Sequence, residues 1–305
     1  MSRKVRKSDV NKFARFAKKN PLAALVVVVV ILAAVLVWQG VSGGGNTPAP
    51  TVTAPMDGLY VHYIDVGQGD AELVCSNGEY MLIDGGEPSA SDTLTDYLSA
   101  LGVTRLSYVI CTHGHADHCG GLSAVVESFK VDEVFISPYG SDAAAYAEFL
   151  DAVRDAGLDA EAPDMGVKYR LGEAQFEFLG PVEDHKNVND DSLVLRLVYG
   201  DTSFLFTGDM TAKAEKELIN DGLSVRCDVL KVGHHGSSGS SCYQFLYEAQ
   251  PKIAVISCAD GNKYGHPHEE TLSRLRDADV TVYRTDVDGS VVIFSDGMSV
   301  ERRAA

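Results

Sequence analysis

Thr112-His113-Gly114-His115-Ala116-Asp117-His118, followed at once by Cys119 and the pair Gly120-Gly121, decides how the rest of the chain is read. Three imidazoles and a carboxylate fall within six positions. In an extended segment alternate side chains point the same way, so His113 and His115 can grip one cation. Asp117 and His118 then face a neighbouring position where a second cation can sit. Gly114, Gly120 and Gly121 let the backbone crowd such a site. The competing reading is a chance cluster in a chain with nine His. It fails on chemistry, because imidazoles packed this densely are poor core filler and need polar partners.

Two further clusters occupy similar places. His113 follows a buried strand over 106–111, Asp209 of Thr207-Gly208-Asp209 follows one over 202–206, and His234-His235-Gly236-Ser237-Ser238 follows one over 228–232. Ligands of α/β proteins gather at the carboxyl ends of strands, so the three clusters imply one shared site. Asp209 suits the bridge between two cations and the orientation of an attacking water. One of His234 and His235 is expected to hold the second ion, and the sequence leaves both open. In Gly265-His266-Pro267-His268, His266 is expected to reach substrate as a catalytic and binding residue, while His268 opens a helix. The Ser237 hydroxyl and the amides near Gly236 are expected to stabilise charge on the substrate. Asp84, ending a strand before Gly85-Gly86, either orients the ligand loop or is an ordinary turn Asp. His62 lies inside a strand and reads as structural; His185, in a polar loop, reads as solvated.

Around these clusters the chain alternates. Runs 59–66, 71–75 and 80–84 read as strands broken by Gly67-Gln68-Gly69 and Asn77-Gly78 turns. Helical patterns over 93–101, 143–156, 211–220, 241–249 and 269–276 interleave with strands at 174–179, 192–199, 253–257, 281–284 and 290–294. On the helix at 211–220, Lys213, Glu215, Lys216 and Glu217 are placed on the outer face. Hairpins mixed with β-then-α units indicate sheets flanked by helices.

The amino-terminal region is of another kind. Residues 22–38, LAALVVVVVILAAVLVW, form an uncharged apolar run of membrane-spanning length. Eight Lys or Arg against the single Asp9 lie within residues 1–38, which leaves −24 on the remainder of a chain whose net charge is −17. The expected organisation is a basic cytoplasmic leader (1–21), a single-pass signal anchor (22–38), a Gly/Pro/Thr tether (39–55) and a folded domain (56–305) outside the cell. So acidic a domain argues against broad, charge-driven binding of nucleic acid. The six Cys are scattered without a C-x-x-C pair and read as buried thiols, Cys119 among them, rather than as a disulfide scaffold.

Together these stretches resemble the metallo-β-lactamase superfamily, and within it the hydrolase domain of ComEC-type competence proteins. The likeness rests on IDVGQGD (Ile64–Asp70), YMLIDGG (Tyr80–Gly86), THGHADHCGGL (Thr112–Leu122), NDDSLVLRL (Asn189–Leu197), FLFTGD (Phe204–Asp209), DVLKVGHHGS (Asp228–Ser237), YGHPH (Tyr264–His268) and YRTDVDGSV (Tyr283–Val291). The resemblance implies a four-layer αββα sandwich and two divalent ions, Zn²⁺ or Mn²⁺. It implies His113, His115, Asp117, His118, Asp209 and one of His234 or His235 as ligands, with catalysis through a metal-activated water. Two departures stand out. The superfamily often has another metal-binding His between the first motif and the bridging Asp, where this chain offers only His185. ComEC-type proteins also have a many-span channel part, and this chain shows one apolar run. The expected reaction is phosphodiester hydrolysis on a small molecule, a cell-envelope polymer or DNA, with no protein partner. The alternatives are lactone or β-lactam hydrolysis and a surface binding protein whose metal is structural. Closed structural sites generally place four ligands on one ion, which disfavours the last.

Overall fold

The computed structural model describes residues 57–304. The basic leader, the expected membrane span and the tether lie outside the described residues. Among the described residues, fifteen strands form two mixed sheets. The first holds β1 (Leu59–Tyr63), β2 (Glu72–Ser76), β3 (Glu79–Ile83), β4 (Arg105–Cys111), β5 (Lys130–Ile136), β6 (Ala160–Glu161), β14 (Val291–Ser295) and β15 (Val300–Arg303), in the order β15-β14-β1-β2-β3-β4-β5-β6. The second holds β7 (Lys168–Leu171), β8 (Ala174–Gly180), β9 (Val194–Tyr199), β10 (Thr202–Phe206), β11 (Val229–Lys231), β12 (Ile253–Ile256) and β13 (Thr281–Arg284), in the order β13-β12-β11-β10-β9-β8-β7. Each sheet is antiparallel on one side and parallel on the other. Strands β3 to β6 run parallel in the first sheet, and β10 to β13 in the second.

Apolar residues sort into three layers. Val61, Val74, Met81, Phe176, Phe178, Phe204 and Val255 fill the space between the sheets. Helices α1 (Ser91–Ala100), α3 (Leu122–Ser128) and α4 (Ala144–Asp155) bury Leu94, Leu98, Val125 and Phe149 against the outer face of the first sheet. Helices α5 (Ala212–Asn220), α6 (Tyr243–Ala249) and α7 (Glu269–Asp277) bury Leu218, Phe245 and Leu275 against the second. The order is therefore helices, sheet, sheet, helices. Two short helices complete the described chain, α2 (Ala116–Cys119) and α8 (Thr285–Asp288). The central strands β2 and β10 are buried along their whole length, as strands covered on both faces must be.

Three expectations need correction. Strand β5 and helix α3, directly after the His/Asp motif, and strands β6, β7 and β15 are not among the expected elements; in β5, Lys130, Asp132 and Glu133 interrupt an otherwise apolar run. The strand expected over 59–66 ends at Tyr63, since positive φ at Gly67 and Gly69 turns the chain into a loop. Glu215 does not lie on the outer face of α5. It is buried, one position from Ala214 and three from Leu218 on the inward face, and its carboxylate accepts the backbone N–H groups of Ser241 and Cys242 just ahead of α6. All six Cys are free thiols, five of them buried, and Cys119 packs into the layer beneath α1 and α4.

Candidate metal centre

Carboxyl ends of the parallel strands supply the site. Asp84 follows β3, His113 follows β4, Asp209 follows β10, His234 and His235 follow β11, and His266 lies in the loop after β12. His115 caps α2, which sets Asp117 and His118 in one helical turn. The first sheet therefore contributes His113, His115, Asp117 and His118, and the second Asp209, His234 and His235.

Asp209 stands between two groups. Its Oδ1 is 3.2 Å from His118 Nε2 and 3.6 Å from His235 Nε2, and that same His235 nitrogen is 3.3 Å from Asp117 Oδ2. Its Oδ2 is 3.8 Å from His113 Nε2 and 3.6 Å from His234 Nε2, while His113 Nε2 lies 3.1 Å from His115 Nδ1. Ligand atoms sharing a tetrahedral ion at ~2.0–2.1 Å sit about 3.3 Å apart, so both spacings suit a cation. The orphaned atoms agree: His118 Nε2, His235 Nε2 and Asp209 Oδ1 are buried with no hydrogen-bond partner. Buried polar atoms seldom stay unpaired, and these three converge.

The far sides of the His235 and His118 rings are held. His235 Nδ1 lies 3.1 Å from the Ser257 carbonyl, an acceptor only, so Nδ1 carries a proton, and in the neutral ring Nε2 is the nitrogen with the lone pair. His118 Nδ1 meets Asp84 Oδ2 at 2.8 Å. Asp84 also accepts the Thr112 N–H at 2.7 Å and the Thr112 hydroxyl at 2.6 Å, so it fixes both the ligand loop and one ligand. The field of the cluster is cation-seeking. Burial works against charge on His235, yet Asp209 and Asp70 push its imidazole up to about 10. Burial likewise opposes ionisation of Asp209, but His118 and His235 hold its carboxyl well below the usual range.

Sequence reasoning missed Asp70, Lys231, Asn189 and Gln68. Asp70 is buried in the loop before β2, with Oδ1 3.1 Å from His235 Nδ1 and Oδ2 bonded by Lys231 Nζ at 2.6 Å. It touches the back of the imidazole, not the side that faces Asp209. Burial would raise its carboxyl, but Lys231 and His235 draw it down to about 2. Asn189 and Gln68 line a cavity of about 410 Å³ together with His115, Asp117, Asp209, His234, His235, Lys263, Tyr264 and His266. A larger groove lined by Glu127, Glu148 and Asp151 contains none of the His.

Other expected residues fall elsewhere. Ser237 does not line the cavity; its hydroxyl accepts Gly239 N–H and its own N–H is spent on the His234 carbonyl. His268 precedes α7 and accepts Ser238 N–H, while His266 faces the cavity with its Nδ1 unpaired. His185 is remote from the cluster, between Asp191 (3.1 Å) and Glu217, braced rather than solvated. His62 bonds Tyr97 at 3.0 Å, and burial lowers it to about 4. The glycines of the motif make room for neighbouring protein rather than for ions: a Cβ on Gly114 would meet the Ser141 side chain at 2.3 Å, one on Gly120 the Pro88 ring at 2.3 Å, and one on Gly121 the Gly85 carbonyl at 2.2 Å.

The chain belongs to the metallo-β-lactamase superfamily, whose profile matches residues 64–260. Its His/Asp cluster could hold a metal ion. The domain is related to competence proteins. It is 33% identical over 250 residues to ComE operon protein 3 of Bacillus subtilis, covering 76% of this chain and 32% of that one. It is 34% identical over 231 residues to competence protein ComA of Neisseria gonorrhoeae, covering 74% and 31%. The chain thus spans about a third of the length of the curated relatives it matches. A solved structure, Tm1679, a metal-dependent hydrolase of the β-lactamase superfamily, aligns with a TM-score of 0.50 at 15% identity over 74% of this chain and 95% of that one. At that identity the likeness bears on the fold alone.

Proposed function

We propose that the chain is a phosphodiesterase with two divalent ions, Zn²⁺ or Mn²⁺, anchored in the cell membrane by residues 22–38 with its hydrolase domain outside. The observation that carries the reading is the division of one buried carboxylate: Asp209 offers one oxygen to His118 and His235, the other to His113 and His234. Asp117, His118, His235 and Asp209 would hold one ion; His113, His115 and Asp209 the other, with His234 closing that group on the cavity side. Bound there, a pair of cations supplies a water acidic enough to attack at neutral pH and a clamp on the phosphoryl oxygens.

The remaining residues serve the substrate. Among the described residues lining the cavity, Lys263 is the one Lys or Arg, and it suits a phosphate oxygen. His266, kept neutral by burial and by His235 and His234 beside it, exchanges a hydrogen bond with the substrate without adding charge. Gln68 Nε2 is a buried donor still without a partner. A positive pocket in an acidic domain suits one compact phosphodiester better than a long polyanion.

The full chain, loaded with Mn²⁺ or Zn²⁺, is assayed on methyl p-nitrophenyl phosphate, linear DNA and a lactone panel across a salt series. The expected result is turnover of the small diester, with weak DNA cleavage that rises as salt screens repulsion. Lactone hydrolysis without phosphodiesterase activity, or efficient DNA cleavage falling steeply with salt, overturns the reading. For location, protease added to intact cells should release a fragment beginning in residues 42–55; protection until lysis reverses the orientation.

A further inference from the structure

Among the described residues, Lys231 and Asp70 form the one Lys–carboxylate or Arg–carboxylate pair with both side chains fully buried. Lys231 ends β11 of the second sheet, three residues before His234. Asp70 belongs to the first sheet, in the loop that leads into β2. Its backbone is part of the ligand motif's support: Asp70 N–H bonds the Asp117 carbonyl at 3.1 Å, and its own carbonyl accepts Gly86 N–H at 2.8 Å. Its side chain crosses to the other sheet, where Lys231 Nζ donates to Oδ2 at 2.6 Å and to the Val232 carbonyl at 3.2 Å. The other carboxylate oxygen reaches His235 Nδ1 at 3.1 Å.

This placement has a mechanical meaning. The ligand set is split between two sheets whose shared interior is apolar, packing that resists separation better than sliding; Leu193 N–H on the Thr112 carbonyl at 2.8 Å ties them at the motif, and Lys231–Asp70 is the charged tie. A buried ion pair is directional, and its rupture leaves charges without water, so it fixes relative position far more sharply than side-chain packing. Metal ligands must be held within about 0.5 Å of their working places.

We propose that the Lys231–Asp70 pair is the clamp that sets the two halves of the metal site in register, His113, His115, Asp117 and His118 on one side and Asp209 and His235 on the other. Lys231 and Asp70 are positioning residues; neither touches the substrate. The inference rests on the reading of the cluster as a metal site and is independent of the reaction that the site performs.

The test separates positioning from stability. Zn²⁺ affinity of the full chain is measured by competition with a chromophoric chelator, alongside the thermal midpoint of the metal-free chain. The variants are Lys231→Met, Asp70→Asn, the double variant Asp70→Asn/Lys231→Met, and Leu218→Ala as an equally destabilising change in the layer beneath α5. Each single variant lowers the midpoint and weakens Zn²⁺ binding about 10- to 100-fold, the loss usual for a residue that supports ligands. In the double variant both charges of the pair are gone, so the midpoint recovers while the affinity does not. Leu218→Ala lowers the midpoint and keeps the affinity. If Lys231→Met fails to fold, the double variant carries the test. Wild-type affinity in the double variant, or an equal loss of affinity in Leu218→Ala, overturns the clamp. No Zn²⁺ binding by the wild type removes the metal-site reading beneath it.

Discussion

Asp84→Asn separates two jobs that one carboxylate performs at once. In the native site Asp84 accepts from Thr112 N–H, from the Thr112 hydroxyl and from His118 Nδ1, and it does so at φ 56, in the left-handed region. Asn tolerates that backbone and keeps one oxygen for Thr112 N–H. Its amide nitrogen, however, faces His118 Nδ1 with hydrogens. His118 then relieves the clash by moving its own proton to Nε2, the nitrogen that must present a lone pair to an ion. The loop should stay folded at a cost of ~1–3 kcal/mol, one disrupted buried hydrogen bond, while metal affinity falls about 10- to 100-fold. Asp84→Ala behaves differently. It leaves Thr112 N–H and His118 Nδ1 as buried orphans at ~1–3 kcal/mol each and adds ~1–2 kcal/mol for Ala in the left-handed region, roughly 3–8 kcal/mol in all. That is comparable to the whole stability of an ordinary domain. Urea unfolding with chelator present measures the first quantity and Zn²⁺ competition titration the second. Full-strength Zn²⁺ binding by Asp84→Asn would refute the tautomer argument, and an Asp84→Ala as stable as Asp84→Asn would refute the orphan count.

Elemental analysis of the purified full chain should find about two equivalents of transition metal, falling to one or fewer in Asp117→Ala and unchanged in His62→Ala. A single ion insensitive to Asp117 would contradict the paired site. Gly69 has φ +133, and a Cβ there would stand 2.3 Å from the Asp117 carbonyl, so Gly69→Ala should displace the ligand loop, lower stability by ~3 kcal/mol and reduce metal content. Retention of full metal content in that variant would show that the loop yields cheaply. Glu215 provides a pH signature: burial outweighs its two backbone N–H partners and raises its carboxyl to about 7, from 4.5. The folded state therefore binds a proton more tightly than the unfolded chain. The associated stability is present below pH 4.5 and lost as pH rises to 7, at no more than ~1.4 kcal/mol per pH unit. Urea midpoints at pH 5, 6 and 7 should flatten in Glu215→Gln, and an unchanged slope counts against the assignment.

What the sequence made legible was local, and what it hid was long-range. His113, His115, Asp117 and His118 lie within six positions, so backbone geometry alone relates them, and the structure brings them together with Asp209 and His235. Asp70 and Lys231 are 161 residues apart, and each alone is unremarkable: an Asp after Gly-Gln-Gly, a Lys in an apolar strand. Nothing short of the packing of two sheets reveals that one neutralises the other. A Lys inside the run Val229-Leu230-Lys231-Val232 was nevertheless a signal, because a central strand does not bury an ammonium without a carboxylate to meet it. The same logic explains Glu215. Four charged residues within five positions make any helical face look solvated, and only the N–H groups ahead of α6, contributed by a segment 26 residues later, account for its burial. His234 and His235 illustrate the limit from the other direction. Adjacent in sequence, they were indistinguishable, but both take positive φ. That pair of left-handed residues turns one ring into the buried cluster, against Ser257 and Asp117, and leaves the other a quarter exposed at the cavity. The chemistry of the site was therefore written in residue types and spacing, whereas the support that gives each ligand its tautomer and position was written in pairings that only the assembled sheets create.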